Sequence, residues 1–128
     1  MLPSQSNMNL VTGATGLLGT HLMMELLSRG EKVRALVRPG SSRTSVSDVF
    51  EFCGNALFES IEWVEGDVLD IDSLEEAMQG CTHVFHCAAI VSYHPAERAE
   101  MYRVNTEGTA NIINIALHLG NVKVGFVS

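Results

Sequence analysis

Residues 8–19 read Met-Asn-Leu-Val-Thr-Gly-Ala-Thr-Gly-Leu-Leu-Gly, and this stretch constrains the fold more than any other. Met8 to Thr12 is a short apolar run suited to a buried strand, and a helical pattern begins at about Gly16. The glycines at 13, 16 and 19 each have a separate use. Gly13 lets the main chain turn tightly as it leaves the strand. Gly16 has no Cβ, so a pyrophosphate could approach the backbone. Gly19, one turn into the helix, lets that helix pack hard against the sheet. The helix start, with Thr15, Leu17 and Leu18 around Gly16, turns its free N–H groups and the positive end of its dipole toward such a phosphate. A strand before and a helix after make the G-x-x-G-x-x-G spacing a dinucleotide-site hypothesis. The alternative is an ordinary strand–turn–helix that holds no ligand.

Composition narrows the function classes. With 128 residues the chain is one domain with room for a core. Its net charge of −7 argues against general nucleic-acid binding, which takes a basic patch. No apolar run approaches the roughly 18–20 residues of a membrane span. Residues 1–7 lack the basic-then-apolar order of a secretory signal and read as an N-terminal extension. Cys53, Cys81 and Cys87 are widely spaced, without a C-x-x-C. That fits reduced cytosolic thiols packed as small apolar groups better than a metal site. The expectation is a soluble, cytoplasmic protein with no metal, no nucleic-acid partner and no membrane association.

After the first strand, a helix spans about 16–29, with Leu18, Leu22 and Leu26 at i, i+4 and i+8, and Leu17 and Met23 widening the stripe. Gly30 ends it. Strand two is Lys32–Val37. The breaker-rich Pro39-Gly-Ser-Ser-Arg-Thr-Ser45 reads as a loop, with a short helix within 46–53. Strand three is 61–65. Asp72-Ser-Leu-Glu75 resembles a capping box for a third helix that stops at Gly80. Strand four, 82–88, precedes a long helix over about 97–119, and strand five is 122–127. Strands alternate with helices and no hairpin signal intervenes, which means a parallel sheet covered on both faces. The expected fold is α/β, a Rossmann-type doubly wound parallel sheet of order 3-2-1-4-5 over residues 8–128, truncated after the fifth strand. The ends of strands one and four, residues 12–13 and 87–89, then flank the switch point where ligands bind.

Arg38 stands at the tip of strand two. An acid there would bind the ribose hydroxyls of NAD, whereas a basic residue accommodates the additional phosphate of NADP. No acid follows until Asp48, and Ser41, Ser42 and Arg43 could add donors. The expected cofactor is NADP, with NAD the alternative; a solvated strand-end arginine would look the same. Arg34, mid-strand, is expected to reach the sheet edge or pair with an acid. Asp67 could accept from an adenine amino group while Val68 packs on the ring, although Gly66-Asp67 suits a turn equally well. Alternation on strand four puts His83, Phe85 and Cys87 on one face and Val84, His86 and Ala88 on the other. His86 therefore reads as a core histidine rather than a base. Ala88 and Ala89 are small where a cofactor ring needs backbone room. Tyr93 and His94, on the next loop, meet either substrate or solvent. Asn105 is a poor helix former within the long helix, and either faces solvent or binds the main chain of strand four. That helix has only a narrow polar strip, Asn111, Asn114 and His118, so it is expected to pack on the sheet and also on a second subunit or further chain.

Taken together, these residues resemble the N-terminal part of the extended short-chain dehydrogenase/reductase family, the NAD-dependent epimerases and dehydratases with dihydroflavonol reductase-like and sugar-nucleotide epimerase-like branches. Thr12-Gly-Ala-Thr-Gly-Leu-Leu-Gly19 is similar to the family's TGxxGxxG cofactor loop, and Val33-Arg-Ala-Leu-Val-Arg38 to a second strand whose final Arg goes with NADP. Gly66-Asp67-Val68 resembles the adenine-contact turn, and Val84-Phe-His-Cys-Ala-Ala89 the segment that lines the nicotinamide ribose. Tyr102-Arg-Val-Asn105-Thr-Glu-Gly-Thr109-Ala-Asn111 resembles the helix with the structural Asn, and Phe126-Val-Ser128 the start of the next strand end. The resemblance implies cofactor contacts from Gly13, Thr15, Gly16, Leu17, Leu18 and Gly19, from Arg38, Asp67 and Val68, and from Cys87, Ala88, Ala89 and Asn105.

The family's catalytic Tyr-x-x-x-Lys has no counterpart here, since Tyr93 and Tyr102 are followed at i+4 by Glu97 and Thr106. No catalytic residue is assigned, and the catalytic and substrate-binding C-terminal region is expected to lie outside these residues. The resemblance implies the NADP-binding half of a reductase or epimerase, inactive alone. The whole enzyme would act on a hydroxyl or carbonyl of a nucleotide sugar or of a flavonoid- or steroid-like alcohol. The alternative is a non-catalytic NAD(P)-binding sensor or interaction module. A homodimer or a self-associating chain is expected from the open edge of strand five and the apolar long helix.

Overall fold

A computed structural model describes residues 7–87 and 94–127 of the protein. Several of the expectations from sequence fall on Ala88, Ala89, Tyr93 and Ser128 or on residues 1–6, which lie outside the described residues. Strands and helices alternate as β1 (Met8–Thr12), α1 (Leu17–Ser28), β2 (Lys32–Val37), α2 (Thr44–Phe52), β3 (Glu62–Glu65), α3 (Ile71–Met78), β4 (His83–Cys87), α4 (Pro95–Leu119) and β5 (Lys123–Val127). All strand pairs are parallel and the order is β3-β2-β1-β4-β5, the Rossmann-type order expected.

Successive residues along each strand point alternately to the two faces, so each face carries its own core. Val11, Val33 and Ala35 pack under α1 and α2 with Met23, Leu27, Val46 and Phe50. Leu10, Leu36 and Val84 pack under α3 and α4 with Leu74, Met78 and Ile112. Two registers position the strand ends: Thr12 lies opposite His86, and Val37 lies opposite Glu65. Arg34 uses its mid-strand position as expected, donating to Glu62 Oε2 at 2.7 Å and to the carbonyls of Ala77 and Gln79.

Local differences from the sequence expectations have plain causes. On α1 the expected Leu22, Met23 and Leu26 do face the core, joined by Gly19, Thr20, Met24 and Leu27, but Leu17 and Leu18 stand exposed at the helix start. The cap of α3 is Asp70, whose Oδ1 accepts from Ser73 N, and Asp72 lies in the first turn. α4 starts two residues earlier than its first acidic residue suggests, because Pro95 suits the first helical position, where no N–H is needed. On α4 the residues toward the sheet, Gly108, Ile112, Ile115 and Ala116, are buried, while Ile113 and Leu117 on the far side are exposed.

Candidate functional site

The C-terminal ends of β1 to β4 and the middle of α4, at Val104 and Asn105, surround one cleft of about 940 Å³. The β1–α1 turn contributes Gly13, Thr15, Gly16, Leu17, Leu18 and Gly19. Arg38 and Ser41 enter from the end of β2, Asp67 and Val68 from the end of β3, Cys87 from β4 and Asn105 from α4. Every described residue for which the resemblance implies a cofactor contact therefore lines the same space.

The glycine turn is built by close approach. Gly13 has φ +66°, and a Cβ there would lie 2.7 Å from the Cys87 carbonyl oxygen, so the turn and the crossing of β4 both require glycine. A Cβ on Gly19 would lie 2.2 Å from the Gly13 carbonyl oxygen. At Gly19, helix α1 thus packs on the turn itself rather than on the sheet as the spacing suggests. Gly16 differs from both: a Cβ there would touch only Gly13 O, at 3.4 Å, so the surrounding protein does not demand glycine, and the missing side chain leaves the main chain open to the cleft. Thr20 locks the turn from below, its hydroxyl donating to Gly16 O at 2.7 Å and Ala14 O at 3.0 Å. No side chain caps α1, and its first turn has no acid. Among the described residues the N–H groups of Leu17, Leu18 and Gly19 meet no acceptor, since the first bond of the helix is Thr20 N to Gly16 O. An uncapped helix start beside an open glycine backbone fits an anionic group.

At the other end of the cleft, Arg38 is an exposed side chain whose Nε lies 3.9 Å from Asp67 Oδ2. The backbone aligns the two, because Gly66 N donates to Val37 O at 2.9 Å. Of the additional donors expected here, only Ser41 lines the cleft. Ser42 is occupied with Thr44, accepting from its N–H and donating to its hydroxyl. Arg43 stacks its guanidinium on Trp63, 4.8 Å from the ring centre. Asp67 is a turn residue and a cleft residue at once: its Oδ1 accepts from Leu69 N at 2.9 Å.

Val68 is placed by α4. A Cβ on Gly108 would come within 2.6 Å of Val68 Cγ2, and Asn111 Nδ2 donates to Val68 O at 2.8 Å. Asn105 is half-buried at the cleft, with its main chain beside His86. His86 is buried, as a core histidine should be, and its Nδ1 lies 2.6 Å from Thr12 Oγ1. Among the described residues its Nε2 has no hydrogen-bond partner. Burial holds the imidazole pKa below its ordinary value, and the nearby Asn105 main chain opposes this only in part. Burial likewise pushes the Cys87 thiol up, so it packs as a neutral group. Sequence reasoning missed Thr20, His21 and Val104 in this region. His21 could have been found as the residue one turn beyond Leu17 on the exposed helix start, and Thr20 from the habit of helical threonines of bonding the carbonyl four residues back.

Among the described residues no three His, Cys, Asp or Glu side chains form a group able to hold a metal ion, and no helix is long and apolar enough to cross a membrane. The family described as "NAD dependent epimerase/dehydratase family" matches residues 9–128. Sterol demethylase protein B of Methylococcus capsulatus is 40% identical over 111 residues, which cover 87% of this chain and 31% of that protein. Dihydroflavonol 4-reductase of Hordeum vulgare is 32% identical over 114 residues, 88% of this chain and 32% of that protein. Among solved structures, UDP-glucose 4-epimerase from Bifidobacterium longum in complex with NAD+ and UDP superposes with a TM-score of 0.75 at 27% identity, covering 95% of this chain and 37% of that one. The chain spans about a third of the length of the curated relatives it matches.

Proposed function

The chain belongs to the NAD dependent epimerase/dehydratase family, and from that premise we propose that its cleft binds an NADP dinucleotide in preference to NAD and serves the cofactor side of a reductase or epimerase. The open glycine backbone and uncapped start of α1 would hold the pyrophosphate. Asp67 and Val68 would border the adenine, and Cys87 with Asn105 the nicotinamide end. When bound, the nicotinamide supplies or accepts a hydride. The chain's own residues bind and orient the dinucleotide, and none of them is assigned a proton transfer. The relatives named above suggest as substrate a hydroxyl or carbonyl on a steroid-like or flavonoid-like alcohol or on a nucleotide sugar.

The observation that carries the cofactor preference is Arg38, an exposed cation at the tip of β2 that lines the cleft, while no acid occupies that tip. Titrating NADPH and NADH by their fluorescence tests it. Charge-assisted hydrogen bonds are worth about 1.5–3 kcal/mol, so Arg38→Ala should weaken NADPH roughly ten-fold or more and leave NADH within about two-fold. An unchanged ratio of the two affinities would overturn the NADP assignment.

A further inference from the structure

Asp67 has four polar groups, and three are committed to its own turn. Its N–H donates to Ser73 Oγ at 3.1 Å, its carbonyl accepts from Asp70 N at 2.9 Å, and its Oδ1 accepts from Leu69 N at 2.9 Å. These bonds fix the carboxylate against the start of α3. Among the described residues the atom left over is Oδ2, and it is the atom that lies 3.9 Å from Arg38 Nε. Arg38 is the more exposed partner of the pair: 65% of its side chain is exposed, against 36% for Asp67. A tethered anion therefore faces an exposed cation at the mouth of the cleft, where a ribose phosphate would need that cation.

Resting on the NADP reading of the cleft, we propose that Asp67 is a specificity-determining residue which competes with the 2′-phosphate for Arg38 and so limits the preference for NADP. The fixed carboxylate draws the guanidinium toward β3 and adds a negative charge beside the phosphate position. NAD carries no phosphate there and is indifferent to the competition. Exposed ion pairs are weak, so release of Arg38 should change affinity by roughly two- to five-fold.

The test is Asp67→Asn, which keeps an amide oxygen for the Leu69 N–H and so preserves the turn. NADPH and NADH are titrated by fluorescence into the wild type, the Asp67→Asn variant, the Arg38→Ala variant and the double variant. The expected result is that Asp67→Asn raises the NADPH-over-NADH preference by roughly two- to five-fold, and that this gain disappears in the Arg38→Ala background. An equal change for both cofactors would assign Asp67 to the adenine or to the turn alone and overturn the proposal. A gain that persists without Arg38 would also overturn it, because the effect would not pass through the pair. If the wild type binds neither cofactor at millimolar concentration, the underlying reading fails first; binding of both with no change in ratio overturns the competition alone.

Discussion

Thr12 Oγ1 and His86 Nδ1 meet at 2.6 Å in the interior, joining the ends of β1 and β4 beneath the glycine turn. Register makes them neighbours: one residue's slip in the pairing would carry each to the other face. With a hydroxyl on one ring nitrogen, the imidazole is held toward its neutral form by burial, which outweighs the opposing Asn105 main chain. This has a pH consequence with a definite sign. The unfolded chain titrates His86 near the ordinary 6.5, and the folded chain does so lower. Below that value the unfolded state takes up a proton that the folded state refuses, so this residue's contribution to stability is lost as pH falls and is level above neutrality. Urea unfolding of the wild type and of His86→Asn, which keeps a polar atom for Thr12, at about pH 7.5 and about pH 5.5 measures it. The wild type should lose more stability over that interval than the variant; equal losses would show that burial does not hold the ring neutral. The residue type alone signalled a buried histidine, but its partner did not show in the sequence, since Thr12 and His86 become neighbours only through the parallel pairing of β1 with β4.

At the level of elements, α4 does more than cover the sheet. Gly108 and Asn111, one turn apart, clamp the loop after β3: the glycine admits Val68 to van der Waals contact, and the asparagine bonds its carbonyl. Through them the position of a cleft residue depends on a helix from the other half of the fold. Asn111→Ala removes the donor and leaves Val68 O without it, at a cost of roughly 1–3 kcal/mol. We expect a lower urea midpoint together with weaker binding of NADPH and NADH alike. Loss of stability with unchanged affinity for both would confine Asn111 to a structural role. The sequence made the existence and order of the elements legible, because short apolar runs between breakers and helical stripes are local signals. The clamp was less legible. Asn111 reads as part of a narrow polar strip, and nothing local says that it faces Val68. The cap of α3 was misplaced for a similar reason: Asp70 and Asp72 both suit a helix start, and only the hydrogen bond to Ser73 N distinguishes them.

For the whole molecule, the strand order brings the ends of β1 and β4 together at the centre of the sheet, and helices leave them toward opposite faces. A crevice outside the strand ends follows from that reversal, and the observed cleft lies there. The glycine spacing and the alternation of strands and helices made this much of the site legible. Less visible beforehand were the pairing of Arg38 with Asp67 and the stacking of Arg43 on Trp63, which depend on side-chain conformation across separate strands. If this cleft, and no other surface, takes the dinucleotide by the uncapped start of α1 and by Arg38, amide-resolved two-dimensional NMR during an NADPH titration will show it. The expected result is saturable shifts centred on the N–H groups of Gly16, Leu17, Leu18 and Gly19, with a second group at Arg38 and at Asp67 and Val68. Saturable shifts that leave the glycine turn untouched, or no saturable shifts at millimolar NADPH, would contradict it.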